Sequence, residues 1–266
     1  MYPYSRETLM RPKNPARLLA QWFHEARSIV VLTGAGMSAE SGVPTFRDAQ
    51  KGLWAQFDPQ ALATAFAYRE DKALVWGWYA WRMAMVRSVQ PHAGHRALAR
   101  LSALKSDLVV VTQNVDDLHE RAGSLGVIHL HGSLFAARCF DCARPFEGVE
   151  LPANAIEIPT LRLRPPRCAH CGGDIRPGVV WFGESLPAAA WAQAEASVSR
   201  CDLLIAVGTS GVVYPAASLP AMAKDQGARF MEINPVATDL SSIADQVWRT
   251  TAGKGLSTVL ELLAEG

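Results

Sequence analysis

Residues 28–42 read SIVVLTGAGMSAESG, and their apolar run leads directly into a glycine-rich loop. The IVVL run predicts a buried parallel strand, since such strands are apolar on both faces. Glycines after a strand let the backbone approach a pyrophosphate, and the next helix offers free N–H donors for the anion. Gly34, Gly36 and Ala39 satisfy only the looser G-x-G-x-x-A form of the dinucleotide fingerprint, so a plain turn is an alternative interpretation.

Further apolar runs of the same kind recur along the chain. They occupy residues 108–112, 127–130, 203–207, 230–233 and 246–248. Helical stretches lie around them, at residues 14–27, 94–104, 188–199, 216–226 and 255–264. Strands that alternate with helices of this length predict βαβ units and a twisted parallel sheet, so the predicted fold class is α/β.

Two segments interrupt the alternation. Residues 37–91 are rich in Trp, Ala and Met and have helical character, whereas residues 133–181 carry four paired cysteines and six of the sixteen prolines. We interpret both segments as insertions that together form a second, smaller lobe. The predicted sheet domain then comprises residues 1–36, 92–132 and 182–266.

Four of the five cysteines form two C-x-x-C pairs separated by 25 residues. The pairs are Cys139 with Cys142 and Cys168 with Cys171. Thiolates bind Zn²⁺ tetrahedrally, and two such turns complete the ligand set. Because four thiolates leave no open position for water, the predicted zinc is structural rather than catalytic. Four unrelated buried cysteines are the alternative, and the fifth, Cys201, is expected to be a buried, inert thiol.

Charge and composition exclude several classes of protein. Lys and Arg total 26 against 25 for Asp and Glu, and hydrophobic residues make up 49% of the chain. This balance argues against intrinsic disorder and against nucleic-acid or membrane binding driven by net charge. Six arginines near the paired cysteines leave a local nucleic-acid role open, although we consider it the weaker interpretation: Arg138, Arg144, Arg162, Arg164, Arg167 and Arg176.

Location and assembly are predicted from what the sequence lacks. No apolar run approaches the roughly 18 residues that span a bilayer, and the N-terminal segment has no apolar signal core. We therefore expect a cytoplasmic protein with no membrane partner. The short tail and the absence of coiled-coil heptads predict a monomer.

Polar loops follow several predicted strands at their carboxyl ends, where open α/β sheets bind ligands. Gln113, Asn114 and Asp116 come after LVVVT, and small residues come after the strand at 203–207. Together these loops predict a dinucleotide crevice. His131 ends another strand beside a glycine, which favours a general base, although a core histidine is the plainer alternative. For Asn114 and Asp116 the plainer alternative is a cap of the following helix.

As an ordered set, these segments resemble the sirtuin family of NAD-dependent protein deacylases. The matching stretches are GAGMSAESGVPTFR, TQNVDDLH, HLHG, the two C-x-x-C pairs, VVWFGE, GTS and INP, within residues 34–235. The resemblance implies a Rossmann-like parallel sheet domain with an inserted small domain, made of a helical module and a zinc module. It also implies that NAD and an acyl-lysine protein or peptide meet in the cleft between the domains.

The resemblance further implies roles for individual residues. His131 is the expected general base, with Asn114 and Asp116 as its catalytic partners. The residues expected to bind NAD are Gly34, Ala35, Gly36, Ser38, Phe46, Arg47, Gln113, Asn114, Asp116, Gly208, Thr209, Ser210, Asn234 and Lys254. Those expected to pair with the peptide by β-augmentation are Val180, Phe182, Gly183 and Glu184.

The family's chemistry explains why these residue types are needed. Nicotinamide leaves as the acyl oxygen attacks the ribose, and His131 then takes a proton from a ribose hydroxyl. The expected products are nicotinamide, free lysine and O-acyl-ADP-ribose. An imidazole with an ordinary pKa of about 6.5 suits this proton transfer at neutral pH.

The acyl group is predicted from Tyr79 and Arg82, which are three residues apart and share a face on a helix. A phenol and a guanidinium together would receive a carboxylate well, although a surface arginine is the plainer alternative. Within the family, Y-x-x-R marks the branch that prefers succinyl- and malonyl-lysine. Thr45 and the small Ala63 also resemble that branch, so deacetylation with desuccinylase and demalonylase activity is expected.

Two other functions stay open on the sequence alone. A mono-ADP-ribosyltransferase or NAD hydrolase would share the NAD loops and leave the acyl-lysine channel unused. A zinc-stabilised binding module would have an inactive site, which the intact set of Gln113, Asn114, Asp116 and His131 argues against.

Overall fold

The computed structural model describes residues 14–44, 59–153, 155 and 162–265, without the side chains of Pro59 and Gln60. The strands are β1 (Ile29–Thr33), β2 (Leu108–Thr112), β3 (Ile128–His129), β4 (Gly132–Cys139), β5 (Ile175–Val179), β6 (Leu203–Val207), β7 (Arg229–Ile233) and β8 (Gln246–Trp248). The helices are α1 (Pro15–Glu25), α2 (Gly36–Ala39), α3 (Pro59–Leu62), α4 (Ala65–Glu70), α5 (Lys72–Ser88), α6 (Ala93–Leu104), α7 (Leu118–Arg121), α8 (Ala188–Val198), α9 (Leu219–Asp225) and α10 (Ala252–Ala264).

Six strands form one parallel sheet in the order β3-β2-β1-β6-β7-β8. Each of them lies within one residue of an apolar run identified in the sequence, so the α/β prediction is confirmed. Strand order reverses between β1 and β6. From β1 the chain adds β2 and β3 on one side, and from β6 it adds β7 and β8 on the other. Loops diverge at such a switch point and leave a crevice at the carboxyl ends of the strands.

The sheet is buried on both faces, which explains why β1 is continuously apolar. Ile29 and Val31 pack into a core shared with α1, α6 and α10, whereas Val30 and Leu32 pack into a core shared with α8 and α9. Successive side chains of a strand point to opposite faces, so a strand between two helical layers needs an apolar residue at every position. β6 is fully buried in the same way.

Elements from the two segments that interrupt the alternation contact each other. β4 and β5 form a two-stranded antiparallel sheet, and α4 and α5 pack against it. The Tyr68 hydroxyl of α4 donates a hydrogen bond to the Ile175 carbonyl at 2.6 Å, and Lys72 of α5 pairs with Asp174 at 2.7 Å. Trp76 of α5 shares a buried cluster with Cys139.

Two details of the helices bear on the sequence predictions. Asn14 caps α1 by accepting a hydrogen bond from the amide of Ala16 at 3.0 Å. The helix expected over 216–226 is divided into a 3₁₀ turn, Ala216–Ser218, and α9. Pro220 lies in the first turn of α9 and lacks the N–H that would continue the earlier turn. Among the described helices, none is both long enough and apolar enough to cross a bilayer.

Candidate active site

The glycine loop after β1 packs directly against the loop after β6. The amide of Gly36 donates a hydrogen bond to the Gly208 carbonyl at 2.8 Å. A Cβ at Gly36 would lie 2.8 Å from the Gly208 Cα, and one at Gly34 would lie 2.8 Å from the Thr209 Cα. Real Cβ atoms do not approach backbone this closely, so these glycines are required for the two loops to meet at the switch point.

Ser38 connects the glycine loop to the polar loop after β2. Its hydroxyl donates to Oδ2 of Asp116 at 2.9 Å and accepts from Nδ2 of Asn114 at 3.1 Å. All three residues are buried. Burial raises the pKa of Asp116, while the hydrogen bonds from Ser38 and the Leu118 amide oppose this rise. The expected NAD and catalytic residues of the two loops therefore form one hydrogen-bonded cluster.

His131 is oriented by the same polar loop. Its Nδ1 lies 3.0 Å from the backbone oxygen of Gln113. A carbonyl can only accept, so Nδ1 carries the proton and Nε2 is the basic nitrogen. Burial lowers the pKa of His131, and the bond to Gln113 partly offsets that effect. The Gln113 side chain donates to Oγ1 of Thr209 at 2.8 Å, which ties the imidazole to the loop after β6.

The remaining expected NAD residues lie around this cluster. The Asn234 side chain donates to the Thr209 carbonyl at 3.1 Å, Ser210 is half-buried, and Ala35 is exposed at the start of α2. Lys254 is exposed in the first turn of α10. Thr45, Phe46 and Arg47 lie outside the described residues.

The segment from Val180 to Glu184 runs between His131 and the helical elements around Ala63. The Val180 amide donates to the His131 carbonyl at 2.8 Å, and the Phe182 amide donates to the Ala63 carbonyl at 2.9 Å. Gly183 has a φ of +85°, a left-handed conformation that favours glycine. Phe182 is 46% exposed, so this edge of the segment is accessible.

Glu184 holds the turn of this segment in place. Its carboxylate forms a bidentate ion pair with the buried Arg176, at 2.5 and 2.9 Å, and accepts the Trp181 amide at 2.9 Å. Burial alone would raise the pKa of Glu184, but Arg176 and the Trp181 amide outweigh it and lower that pKa. The side chain of Glu184 is thus engaged within the protein, and its own amide donates to the Trp181 carbonyl at 3.0 Å.

Tyr79 and Arg82 lie one turn apart on α5. Tyr79 is 3% exposed, and its oxygen accepts a hydrogen bond from Nε1 of Trp181 at 2.9 Å. Arg82 is half-buried in a shallow cleft that it shares with Val43 and other residues. Burial lowers the pKa of Arg82, and the neighbouring Tyr79 and Asp116 oppose this fall, so the guanidinium lies within electrostatic range of the loop after β2.

The four paired cysteines converge on one point. Their Sγ atoms all lie within 4.8 Å of one another, with 3.4 Å between Cys139 and Cys171 and 3.8 Å between Cys142 and Cys168. A tetrahedral zinc with Zn–S bonds of about 2.3 Å places its sulfurs about 3.8 Å apart. All four are free thiols. The set fits a closed structural zinc site, as the sequence predicted, and Cys201 lies apart from it, buried beside Val198.

One protein-family model covers the stretch of chain that carries these loops, His131 and the four paired cysteines. The model of the Sir2 family matches residues 34–215, which run from the glycine loop to the loop after β6. The chain belongs to the Sir2 family.

Curated relatives of this Sir2 protein are similar over most of their length. An NAD-dependent protein deacylase 1 of Pseudomonas aeruginosa is 55% identical over 219 residues, which cover 82% of this chain and 87% of that protein. An NAD-dependent protein deacylase of Corynebacterium glutamicum is 50% identical over 244 residues, which cover 90% of this chain and 93% of that protein.

Solved Sir2 structures superpose closely on this one. A Sir2 homologue in complex with NAD has 46% identity and a TM-score of 0.86, with 94% of each chain covered. A mutant Sir2 homologue in complex with 2′-O-acetyl-ADP-ribose has 46% identity and a TM-score of 0.85, covering 93% of this chain and 96% of that one. A Sir2 complex with a p53 peptide and NAD has 30% identity and a TM-score of 0.79, covering 94% and 99%.

Several residues that organise the site of this Sir2 protein carry little recognisable signal in the sequence. The sequence places Arg176 among the arginines near the cysteines, but in the structure it is buried and holds Glu184. Glu40 accepts the Gly253 amide at 2.6 Å and the Thr251 hydroxyl at 2.9 Å, which joins the cofactor loop to α10. Trp181 lies within VVWFGE. Successive side chains of an extended segment point to opposite sides, and this alternation is the sequence signal that distinguishes the buried Trp181 from the exposed Phe182.

Proposed function

We propose that this Sir2 protein removes succinyl and malonyl groups, as well as acetyl groups, from lysine side chains of proteins or peptides. It is an NAD-dependent protein deacylase, and the proposal concerns the acyl group and the residues that act on it. NAD is consumed as a co-substrate, and the products are nicotinamide, free lysine and O-acyl-ADP-ribose.

The loops after β1, β2, β6 and β7 would hold NAD. Phosphate groups suit the glycine loop and the amides at its end, and the buried Asn114 and Asp116 would seat the nicotinamide carboxamide. When bound, NAD supplies an electrophilic ribose carbon and nicotinamide as its leaving group. The hydrogen bond from Gln113 to Thr209 supports this assignment, because it brings the polar loop against the loop that packs on the glycines.

His131 would act as the general base through Nε2. Its Nδ1 is held by the Gln113 carbonyl, which leaves Nε2 to accept a proton from a ribose hydroxyl. A pKa lowered by burial keeps the imidazole neutral at physiological pH, the state a base requires. Asn114 and Asp116 would assist by holding the carboxamide of the nicotinamide that leaves.

The acyl-lysine peptide would pair with Val180, Phe182, Gly183 and Glu184 as an added strand. This segment contacts His131 at one end and Ala63 on its other side, so a lysine inserted beside it would reach toward the base. Tyr79 and Arg82 would hold the distal carboxylate of the acyl chain, because a guanidinium and a phenol both donate hydrogen bonds to carboxylate oxygens.

The observation that carries the acyl assignment is the placement of Arg82. Arg82 lines a cleft together with Val43 and Trp81, and it lies one turn from Tyr79 on the same helix. A cation next to an acyl-lysine channel favours an acyl group with a negative terminus. The neutral acetyl group offers no carboxylate to this guanidinium.

The chain would be organised in two domains. The NAD-binding domain would comprise residues 1–36, 92–132 and 182–266, and residues 37–91 with 133–181 would form the small domain, held by structural zinc. The hydrogen bond from Tyr68 to Ile175 and the ion pair of Lys72 with Asp174 support the joining of the two insertions. We further propose a monomeric, cytoplasmic enzyme with no nucleic-acid partner.

A mass-spectrometric assay tests this proposal. One peptide sequence, carrying acetyl-, malonyl- or succinyl-lysine, is incubated with the protein in the presence and absence of NAD. We expect NAD-dependent removal of all three groups, with higher kcat/KM for the two acidic ones. Equal kcat/KM for acetyl and succinyl peptides would contradict the acyl assignment and leave the deacylase activity standing.

A further inference from the structure

Trp181 joins the peptide segment to the acyl-binding helix through one buried hydrogen bond. Its indole Nε1–H donates to the Tyr79 oxygen at 2.9 Å, and both side chains are almost fully buried. An indole N–H can only donate, so the phenol oxygen must be the acceptor in this bond. The phenol proton is then directed away from Trp181.

The Tyr79 hydroxyl is left with a proton to donate. Among the residues that the structure describes, none accepts this proton. Burial raises the pKa of Tyr79 to about 12, despite opposing effects of Arg82 and the Trp181 hydrogen bond. The phenol therefore stays protonated at neutral pH and is a donor, and a buried donor without a partner favours a ligand that can accept from it.

The position of Trp181 is itself tightly fixed. The Arg176 guanidinium carbon lies 3.4 Å from the centroid of its ring, and Glu184 accepts its backbone amide. The Tyr68 ring packs on it at 5.3 Å between centroids. The indole is held through its ring face, its backbone amide and its Nε1 atom. Its N–H therefore has a fixed direction relative to the Tyr79 hydroxyl.

We propose that Trp181 is a specificity-determining positioning residue, whose indole N–H orients the Tyr79 hydroxyl toward the carboxylate of a succinyl or malonyl group. This inference rests on the proposed acyl function and adds a residue to it. Hydrogen bonds in series polarise one another, so the indole also strengthens the phenol as a donor to an anion. A neutral acetyl group presents no carboxylate and gains nothing from this arrangement.

The first test compares Trp181→Phe with the wild type on acetyl and succinyl peptides of one sequence. Phenylalanine keeps an aromatic ring in the cluster and removes the N–H. We expect the succinyl-to-acetyl ratio of kcat/KM to fall about five-fold, as expected for one lost hydrogen bond, with the change mainly in KM for the succinyl peptide. A ratio equal to that of the wild type would overturn the inference.

Tyr68→Phe is the matched control. It removes a buried hydrogen bond, to the Ile175 carbonyl, from an aromatic residue that packs on Trp181, and it leaves the Trp181–Tyr79 bond in place. We expect a lower melting temperature with an unchanged acyl ratio. An equal fall in the ratio for both variants would assign the effect to packing and refute the role of the N–H.

A double-mutant cycle separates this inference from the proposed function. In a Tyr79→Phe background, Trp181→Phe should leave the acyl ratio unchanged, and a further five-fold fall would refute the coupling. If Tyr79→Phe and Arg82→Met both leave the ratio unchanged, the acyl assignment itself fails. If they lower it and Trp181→Phe does not, only the role of Trp181 fails. Should Trp181→Phe not fold, 3-benzothienylalanine at position 181 replaces the N–H by sulfur in a ring of nearly the same shape and carries the same expectations.

Discussion

Nδ1 of His131 donates a hydrogen bond to the backbone oxygen of Gln113 at 3.0 Å, and this single contact sets the chemistry of the imidazole. Because the carbonyl fixes the proton on Nδ1, Nε2 is the nitrogen that can accept one. The side chain of Gln113 simultaneously donates to Thr209, in the loop that packs against Gly34. One glutamine thus couples the orientation of the base to the loops expected to hold NAD.

The pH dependence of deacylation follows from the burial of His131. Burial lowers its pKa, so the ring stays neutral to a lower pH than a free imidazole, whose pKa is about 6.5. Activity requires the neutral base, and it should therefore be lost as pH falls through a value below 6.5. We expect the acidic limb of kcat/KM against pH to lie there. A limb centred above 6.5 would contradict this account.

A variant of the neighbouring His129 tests whether the acidic limb of the pH profile belongs to His131. His129, two residues earlier, contacts the Asn114 carbonyl through Nδ1 and Glu120 through Nε2, so both its nitrogens have partners in the protein. We expect His129→Gln to keep the acidic limb at its wild-type position. A limb that vanishes in this variant would transfer the titration from His131 to His129.

Arg82→Met should switch the acyl preference. A hydrogen-bonded charge is worth about 1.5–3 kcal/mol, so kcat/KM for a succinyl peptide should fall about 10- to 100-fold while that for an acetyl peptide changes far less. Arg87→Met is the control, because Arg87 is exposed on the same helix and its guanidinium carbon lies 5.4 Å from the Phe135 ring. Undiminished succinyl activity in Arg82→Met would rule out the assignment.

Metal content tests the cysteine site. We expect one zinc per chain in the purified protein, and Cys139→Ser should lose it together with a large part of the thermal stability, since a structural zinc contributes directly to folding. Cys201→Ala should keep its zinc, because the Sγ of Cys201 contacts the Val198 carbonyl and lies outside the cluster. Elemental analysis that finds full zinc in Cys139→Ser would disprove a four-thiolate site.

Gly36→Ala should damage cofactor binding. The new Cβ would lie 2.8 Å from the Gly208 Cα, so the loops must separate, at a cost of about 1–3 kcal/mol and with a raised KM for NAD. Gly227→Ala gives the comparison: its φ is +87° and nothing lies within 4 Å of the added Cβ. Backbone strain there should cost about 1–2 kcal/mol and leave the KM for NAD unchanged. Equal KM values in both variants would show that the loop contact is irrelevant to NAD.

Much of the fold follows from local patterns in the sequence. The apolar runs that became β1, β2 and β6 were recognisable because strands buried between two helical layers must be apolar throughout. The paired cysteines were equally informative, since two C-x-x-C turns have few uses other than metal binding. The helix over 216–226 was less predictable at its start, where Pro220 divides it.

The residues that sequence reasoning did not find act through contacts distant along the chain. Glu40 reaches Gly253, and the Trp181 indole reaches Tyr79 across 102 positions. No local period or spacing encodes such pairs, because they arise only when the lobes pack. Gly34 and Gly36 are a similar case. Their missing side chains make room for the loop after β6, and the fingerprint alone does not reveal that contact.

The most direct test of the account is the product balance of one reaction. Wild-type protein, an acyl-lysine peptide and NAD are incubated together, and nicotinamide, deacylated peptide and O-acyl-ADP-ribose are quantified by mass spectrometry. We predict equal molar amounts of the three products, and no deacylated peptide or O-acyl-ADP-ribose with His131→Ala. Deacylation that proceeds without NAD, or at the wild-type rate in His131→Ala, would contradict the central role of this site.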